Sequence, residues 1–422
     1  MPLSPIPSIP RTEVSYALQA SCRNPARSQA VTTRTGALFM NVHLDRRSLL
    51  RAGTLAGAAS LYPTSLAARL LARPYFPNQK TQRVILVAFA GGVRTRETLG
   101  SPENVPNLMR MAGEGVTYPE VRTANLGHFG ATLSVFTGIS EARGIRENSR
   151  GEDPTLFEYV RKDLGLQPGS VWVATSGGAQ QSNYSHSLHP DYGARFGANQ
   201  LDGDGIFNAE FKQVLKAYGR PREWADNETG LLERMRDSIR GGARGGVNTD
   251  ESSARVERYI LDELTKGTVD MRGTGAGDAK ALRVARNLVA VFKPTLLGVV
   301  LRNADVAHGS YNAYVEVIRR NDRMLGELFD AVKADPSLRD STAIFVVPEF
   351  GRDADLNSRR GLDHGDNSDD LNLVSMVAWG PDFRQGSTVK QEVRAIDVTP
   401  TICTLLGVRA RHARGKPLPG LS

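Results

Sequence analysis

The sequence predicts an α/β fold, a mainly parallel sheet sandwiched by helices and carrying an inserted helical cap. Three observations predict it. Five short stretches are continuously apolar, as strands buried on both faces must be. They alternate with segments whose apolar residues recur at helical spacing, the order expected of parallel strands joined by crossover helices. Between about Ser176 and Lys293 the chain turns polar and glycine-punctuated, so residues 177–293 read as a helical insertion on the sheet.

The elements follow in chain order. Residues 1–39 are rich in Pro, Ser, Thr and Arg, a composition that leaves a segment disordered. Met40 directly after them makes an over-extended start the other reading. Residues 40–75 read as a leader, because Arg46-Arg47-Ser48-Leu49-Leu50-Arg51 before an Ala-, Leu- and Gly-rich stretch resembles a twin-arginine export signal. An amphipathic helix with a chance Arg-Arg is the alternative. A leader of this type implies export to the bacterial periplasm or cell envelope.

The body, residues 76–422, begins with Arg83 to Ala90, an apolar run broken by Gly91-Gly92. Asn104 to Gly113 has helical spacing, with Gly113 as its expected C-cap. Val171 to Thr175 and Thr295 to Leu301 repeat the buried-strand pattern, and Tyr311 to Lys333 is a long amphipathic helix. Ala343 to Val347 and Leu373 to Ala378 are two further buried runs, and Val398 to Leu406 is a short helix. Within the insertion, Gly241-Gly242 and Gly245-Gly246 join two amphipathic helices.

Composition removes several classes of function. The chain has 422 residues, 40% of them hydrophobic and 23% charged, enough to bury a large core. No apolar stretch is long enough for a transmembrane span. Two cysteines, Cys22 and Cys403, make neither a disulfide framework nor a thiolate metal site. The net charge of +8 is concentrated in residues 1–74, which hold nine basic and two acidic residues, leaving 44 basic and 43 acidic for the rest. A near-neutral body argues against nucleic acid as a partner.

Several pieces, in order, resemble the alkaline phosphatase superfamily, which includes sulfatases. They are Asn104-Val105-Pro106-Asn107-Leu108 after the first strand, then Leu133-Ser134-Val135-Phe136-Thr137-Gly138, then Asp305-Val306-Ala307-His308-Gly309 with the helix containing Asn321-Asp322, and finally Asp397-Val398-Thr399-Pro400-Thr401-Ile402. Within the superfamily, Glu349-Phe350-Gly351-Arg352 followed by Gly361-Leu362-Asp363-His364 is similar to the signature of a group of exported proteins that commonly carry twin-arginine leaders.

The resemblance implies a metal-dependent hydrolase of phosphate or sulfate esters, in which metal ions polarise the ester and activate the nucleophile. Carboxylates with imidazoles suit a divalent ion such as Zn, Mn or Ca. Asp305, His308 and His364 match the ligands of one metal site, and Glu349 is a further candidate ligand. The second site departs from the family, with Ala90-Gly91 where the opening Asp belongs and Phe350 where a His belongs. Counting back from Thr137 places His128 where the family has a nucleophilic hydroxyl, so His128 is expected as a nucleophile or as a substitute ligand. Thr123, Thr132 and Ser134 are the nearby hydroxyls. Arg352 is expected to hold the oxygens of a small anionic ester.

Each of these residues also has a plain reading. His308 and Asp305 can stabilise a loop, His364 can belong to a solvated acidic loop, His128 can cap a helix, and Arg352 can pair with Asp353 or Asp355. His186, His189 and Asp191 have metal-like spacing in what reads as a surface loop. Two functions therefore stand side by side: an exported ester hydrolase, and a catalytically degenerate relative that binds a ligand or partner in the envelope.

Overall fold

The computed structural model describes residues 79–141, 149–177, 183–203 and 271–422. The leader and the two amphipathic helices expected around Gly241-Gly242 and Gly245-Gly246 lie outside the described residues.

Strand β1 (Arg83–Phe89) is apolar and buried from Val84 onward, and its neighbours on both edges run parallel to it: β5 (Leu296–Leu301) on one side and β6 (Thr342–Pro348) on the other. The sheet continues outward from β5 to β3 (Val171–Thr175) and β4 (Asn199–Asp202). From β6 it continues through β7 (Leu373–Trp379) to β2 (Val116–Arg122), which also pairs with the two-residue strands β8 (Ser387–Thr388) and β9 (Val393–Arg394). Strand β7 alone runs against both of its neighbours. The result is a mixed, mostly parallel nine-stranded sheet.

The unbroken apolar run of β1 has a simple cause, since side chains alternate faces along a strand and both faces are covered. Ile85, Val87 and Phe89 meet α1 (Pro106–Glu114), α4 (Ala276–Phe292) and α5 (Tyr311–Ala334) on one face. Val84, Leu86 and Ala88 meet α2 (His128–Thr137), α3 (Leu156–Asp163) and α8 (Val398–Leu405) on the other.

Two expected details differ. Helix α1 stops at Gly115 rather than Gly113, and its open N-terminus is capped from a distance: Asp322 of α5 accepts from the backbone of Asn107 at 3.0 Å and of Leu108 at 2.8 Å. The described parts of residues 177–293 belong to the sheet domain, β4 as a strand and α4 as a core helix. Strand β2 escapes the sequence pattern because Pro119 interrupts it, where the pairing with β7 shifts register between Tyr118 and Val121. The short helices α6 (Pro336–Arg339) and α7 (Asp369–Asn372) lead into β6 and β7. No described helix is long and apolar enough to cross a membrane.

Candidate metal centre

Parallel strands deliver their following loops to one edge of the sheet, where ligands usually bind. Here β1 runs into Ala90-Gly91-Gly92, β5 into a 3-10 turn at Asn303–His308, and β6 into Glu349-Phe350-Gly351-Arg352. His128, the first residue of α2, arrives at the same place, and residues 353–368 bring His364 over it.

Three imidazoles converge. His128, His308 and His364 each offer one ring nitrogen, and the three atoms lie within 4.8 Å of one another. Two of the rings are held in the same way. His128 Nδ1 sits 2.5 Å from Glu349 Oε1, and His308 Nδ1 sits 2.6 Å from Asp363 Oδ1. A carboxylate on Nδ1 keeps the proton there and turns Nε2 inward. His128 Nε2 is buried without a directed hydrogen bond; Asp305 Oδ1 lies 2.8 Å away but off the ring's donor axis. His308 Nε2 faces Arg352 Nη1 at 3.1 Å and Asp305 Oδ1 at 3.4 Å. Phe350, fully buried, packs its ring 4.9 Å from that of His128 and 5.1 Å from that of His364.

The charges around the cluster are strongly coupled. Burial works against a charged His128, but its contacts with Asp305 and Glu349 outweigh burial and raise its pKa to about 9. Burial likewise opposes ionisation of Asp305, and there the contacts with His128 and Arg352 win, holding the carboxyl well below the usual carboxylate range. His364 is lowered, first by burial and then by the neighbouring positive groups.

The residues singled out in the sequence thus meet in one cleft, with two changes of part. Glu349 is 1% exposed and lies behind His128; it accepts from Thr132 Oγ1 at 2.6 Å as well as from the imidazole, so it orients a candidate ligand and is outside the three-imidazole cluster. Arg352, expected on the oxygens of an ester, is 0% exposed and spends its donors on Asp305 Oδ1 at 2.7 Å and on the carbonyls of Gly91, Gly92 and Leu362. Its Nη1 also lies 3.1 Å from His308 Nε2, so it faces the cluster from the protein side. Two of the hydroxyls near His128 are also occupied: Thr132 donates to Glu349, and Ser134 donates to Gly130 O at 2.8 Å. His128 is held by Glu349 at Nδ1 and keeps Nε2 without a directed hydrogen bond, which suits a ligand better than a nucleophile. The part played by Phe350 had no sequence signal beyond its place next to Glu349. Asp363 had one in its adjacency to His364.

His186 and His189 do not join the site. His186 Nδ1 is 3.0 Å from Ser185 Oγ, and burial pushes its pKa down to about 4. His189 Nδ1 accepts from the Asp191 backbone at 3.1 Å.

This arrangement is a mostly parallel sheet with a polar cleft at the carboxyl edge of its central strands, the architecture of an α/β protein. No protein-family model matches the chain, and no curated protein sequence matches it. Solved structures do match. Wild-type alkaline phosphatase PafA covers 82% of this chain and 100% of its own at TM-score 0.52 and 11% identity. A multiply substituted PafA covers 83% of this chain and 100% of its own, also at TM-score 0.52 and 11% identity. A protein in the alkaline phosphatase superfamily from Vibrio parahaemolyticus covers 83% of this chain and 77% of its own, with TM-score 0.43 and 12% identity. The chain shares its fold with alkaline phosphatase PafA.

Proposed function

We propose that this chain is a metal-dependent hydrolase of phosphate or sulfate esters, exported to the bacterial envelope. The observation that carries the reading is the convergence of His128, His308 and His364, two of them with a carboxylate on the far nitrogen. The donor set fits a divalent ion. Imidazole nitrogens suit Zn²⁺, the buried Nε2 of His128 lacks a directed partner, and Asp305 adds an oxygen beside it.

His128, His308 and His364 would hold the ion, with Asp305 alongside. A bound divalent ion would draw electron density from an ester oxygen and lower the pKa of a nucleophilic water. The protein's own residues supply the rest. Glu349 and Asp363 hold the Nδ1 side of their rings and so turn each Nε2 towards the ion, which would displace the proton that His128 carries there at neutral pH. Phe350 excludes water from beneath two of the rings. His364, held neutral by burial and by its positive neighbours, keeps a lone pair available at neutral pH.

The degenerate reading keeps one observation in its favour: the side-chain hydroxyls of Thr132 and Ser134 are committed to other partners, so α2 offers no free nucleophile there. The two readings separate in one experiment. Zn²⁺, Mn²⁺ and Ca²⁺ are measured by elemental analysis on purified protein, beside the His308→Ala/His364→Ala double variant, and the loaded protein is then assayed on aryl phosphate and aryl sulfate esters. Metal in the parent, its loss in the variant and turnover of an ester are expected. Metal without turnover would leave the binding function, and no metal at all would sink the hydrolase.

A further inference from the structure

We infer that Arg352 is a built-in cation that occupies the place of a second metal ion and limits this centre to one; the inference rests on the metal-binding reading above. The guanidinium is fully buried, and its neighbours form a cation's environment. Three backbone carbonyls, of Gly91, Gly92 and Leu362, and the Asp305 carboxylate point oxygen at it, and His308 Nε2 lies 3.1 Å from its Nη1. Oxygen donors of this kind are what a hard divalent ion takes. Here a guanidinium takes them, and it carries its charge permanently because it does not deprotonate in proteins.

The backbone beside it leaves no room for the alternative. A Cβ on Gly92, whose φ is +65°, would lie 2.7 Å from Arg352 Nε, and a Cβ on Gly91 would lie 2.6 Å from Arg302 O. A side chain at Gly92 would need space that Arg352 fills, and one at Gly91 would meet the backbone of Arg302, Ala304 and Asp305, so neither glycine can present a carboxylate to an ion. Asp305 Oδ1 stands between two cation positions, 2.7 Å from Arg352 Nη2 and 2.8 Å from His128 Nε2. It is the shared carboxylate of a centre in which one metal is replaced by a side chain.

Charge counting agrees. The charged groups in contact with the cluster are Asp305, Glu349 and Asp363 on one side and Arg352 on the other. With one divalent ion the set is neutral. A second ion would leave two uncompensated positive charges beside the fully buried Arg352 guanidinium, where they are costly. Arg359 also reaches Asp363, at 3.7 Å, but its side chain is 65% exposed and its charge is screened by solvent.

Arg352 is thus a positioning residue. It fixes Asp305 against His128 and supplies positive charge from the protein side. Two measurements on the full chain test this. First, wild-type protein is saturated with Zn²⁺, desalted and counted by elemental analysis; one Zn²⁺ per chain is expected. Two would overturn the inference while leaving the metal reading intact, and none would overturn both.

Second, Zn²⁺ affinity is compared in Arg352→Ala and Arg352→Gln, each checked for native circular dichroism. A loss of about tenfold to a hundredfold is expected, as for other residues that orient metal ligands. Millimolar guanidinium should restore most of it, and the same concentration of urea, which is planar but neutral, should not. Unchanged affinity in a folded variant, or equal rescue by urea, would overturn the inference. If neither variant folds, the wild-type count decides alone.

Discussion

Two pairs of histidines in this molecule look alike by distance and differ in everything else. The rings of His308 and His364 are 5.0 Å apart at the sheet edge, and those of His189 and His412 are 4.8 Å apart near α3. At the first pair, His308 has its outer nitrogen on a carboxylate and its inner nitrogen turned into the cleft. At the second, His189 spends Nδ1 on a backbone amide, and the rings pack edge-on against Tyr192 and flat against Tyr159. The lesson is that close imidazoles do not make a metal centre. A carboxylate that fixes the tautomer, and a third ring, do.

The largest expected effect breaks the first pair outright. His308→Ala/His364→Ala should abolish metal retention through desalting, whereas His189→Ala/His412→Ala should keep the parent's metal content by elemental analysis. Loss of metal from both would erase the distinction.

The next prediction moves the same contrast to carboxylates. Asp305 is held ionised by His128 and Arg352, while Asp278, equally close to the turn after β5, has neutral partners: the Asn321 amide, the backbone of Asn303 and the Ser176 hydroxyl. Burial raises Asp278 from 3.8 to about 6. Between those values the native state keeps a proton that the unfolded chain has released. Stability from this group therefore falls as pH rises through that window, by about 3 kcal/mol once it is fully ionised. Urea midpoints measured from pH 4 to 7 should show this fall in the parent and a flatter profile in Asp278→Asn.

Smaller again, Glu349→Ala removes the acceptor behind His128 without removing a ligand. It should weaken Zn²⁺ binding by about tenfold to a hundredfold in a calorimetric titration, with Glu349→Gln, which keeps an acceptor oxygen, losing less. The smallest effect is expected at the second pair. His412→Ala should change thermal stability by no more than about 1 kcal/mol, because it lies in an intermediate-to-exposed stretch and gives up only ring contacts.

Legibility in the sequence followed burial. The fully apolar runs at β1, β3, β5, β6 and β7 could be read because a strand covered on both faces has no polar position to disguise it. Strand β2 carries Pro119 and alternates buried with partly exposed residues, and β4 is a short polar edge, so neither stood out. At the site, Asp305, His308, His364 and His128 could be singled out because the motifs around them resemble those of the alkaline phosphatase superfamily. The parts taken by Glu349 and Arg352 could not. Whether a carboxylate faces a metal or stands behind its ligand, and whether an arginine faces solvent or the protein interior, depends on partners more than two hundred positions away, such as Thr132 for Glu349 and Gly91 for Arg352.

The placement of β1 has a consequence for synthesis. It is a central strand with seven consecutive apolar or amphipathic positions, yet its partners, Leu296–Leu301 and Thr342–Pro348, belong to the last third of the chain. At ribosomal speeds of about 5–20 residues per second, both of its edges stay open for on the order of ten to forty seconds after it emerges. During that interval Arg83–Phe89 is a sticky, unpaired strand of the kind that recruits other nascent chains. Yields of folded protein are therefore expected to rise when translation of residues 90–295 is made faster or a holdase is supplied.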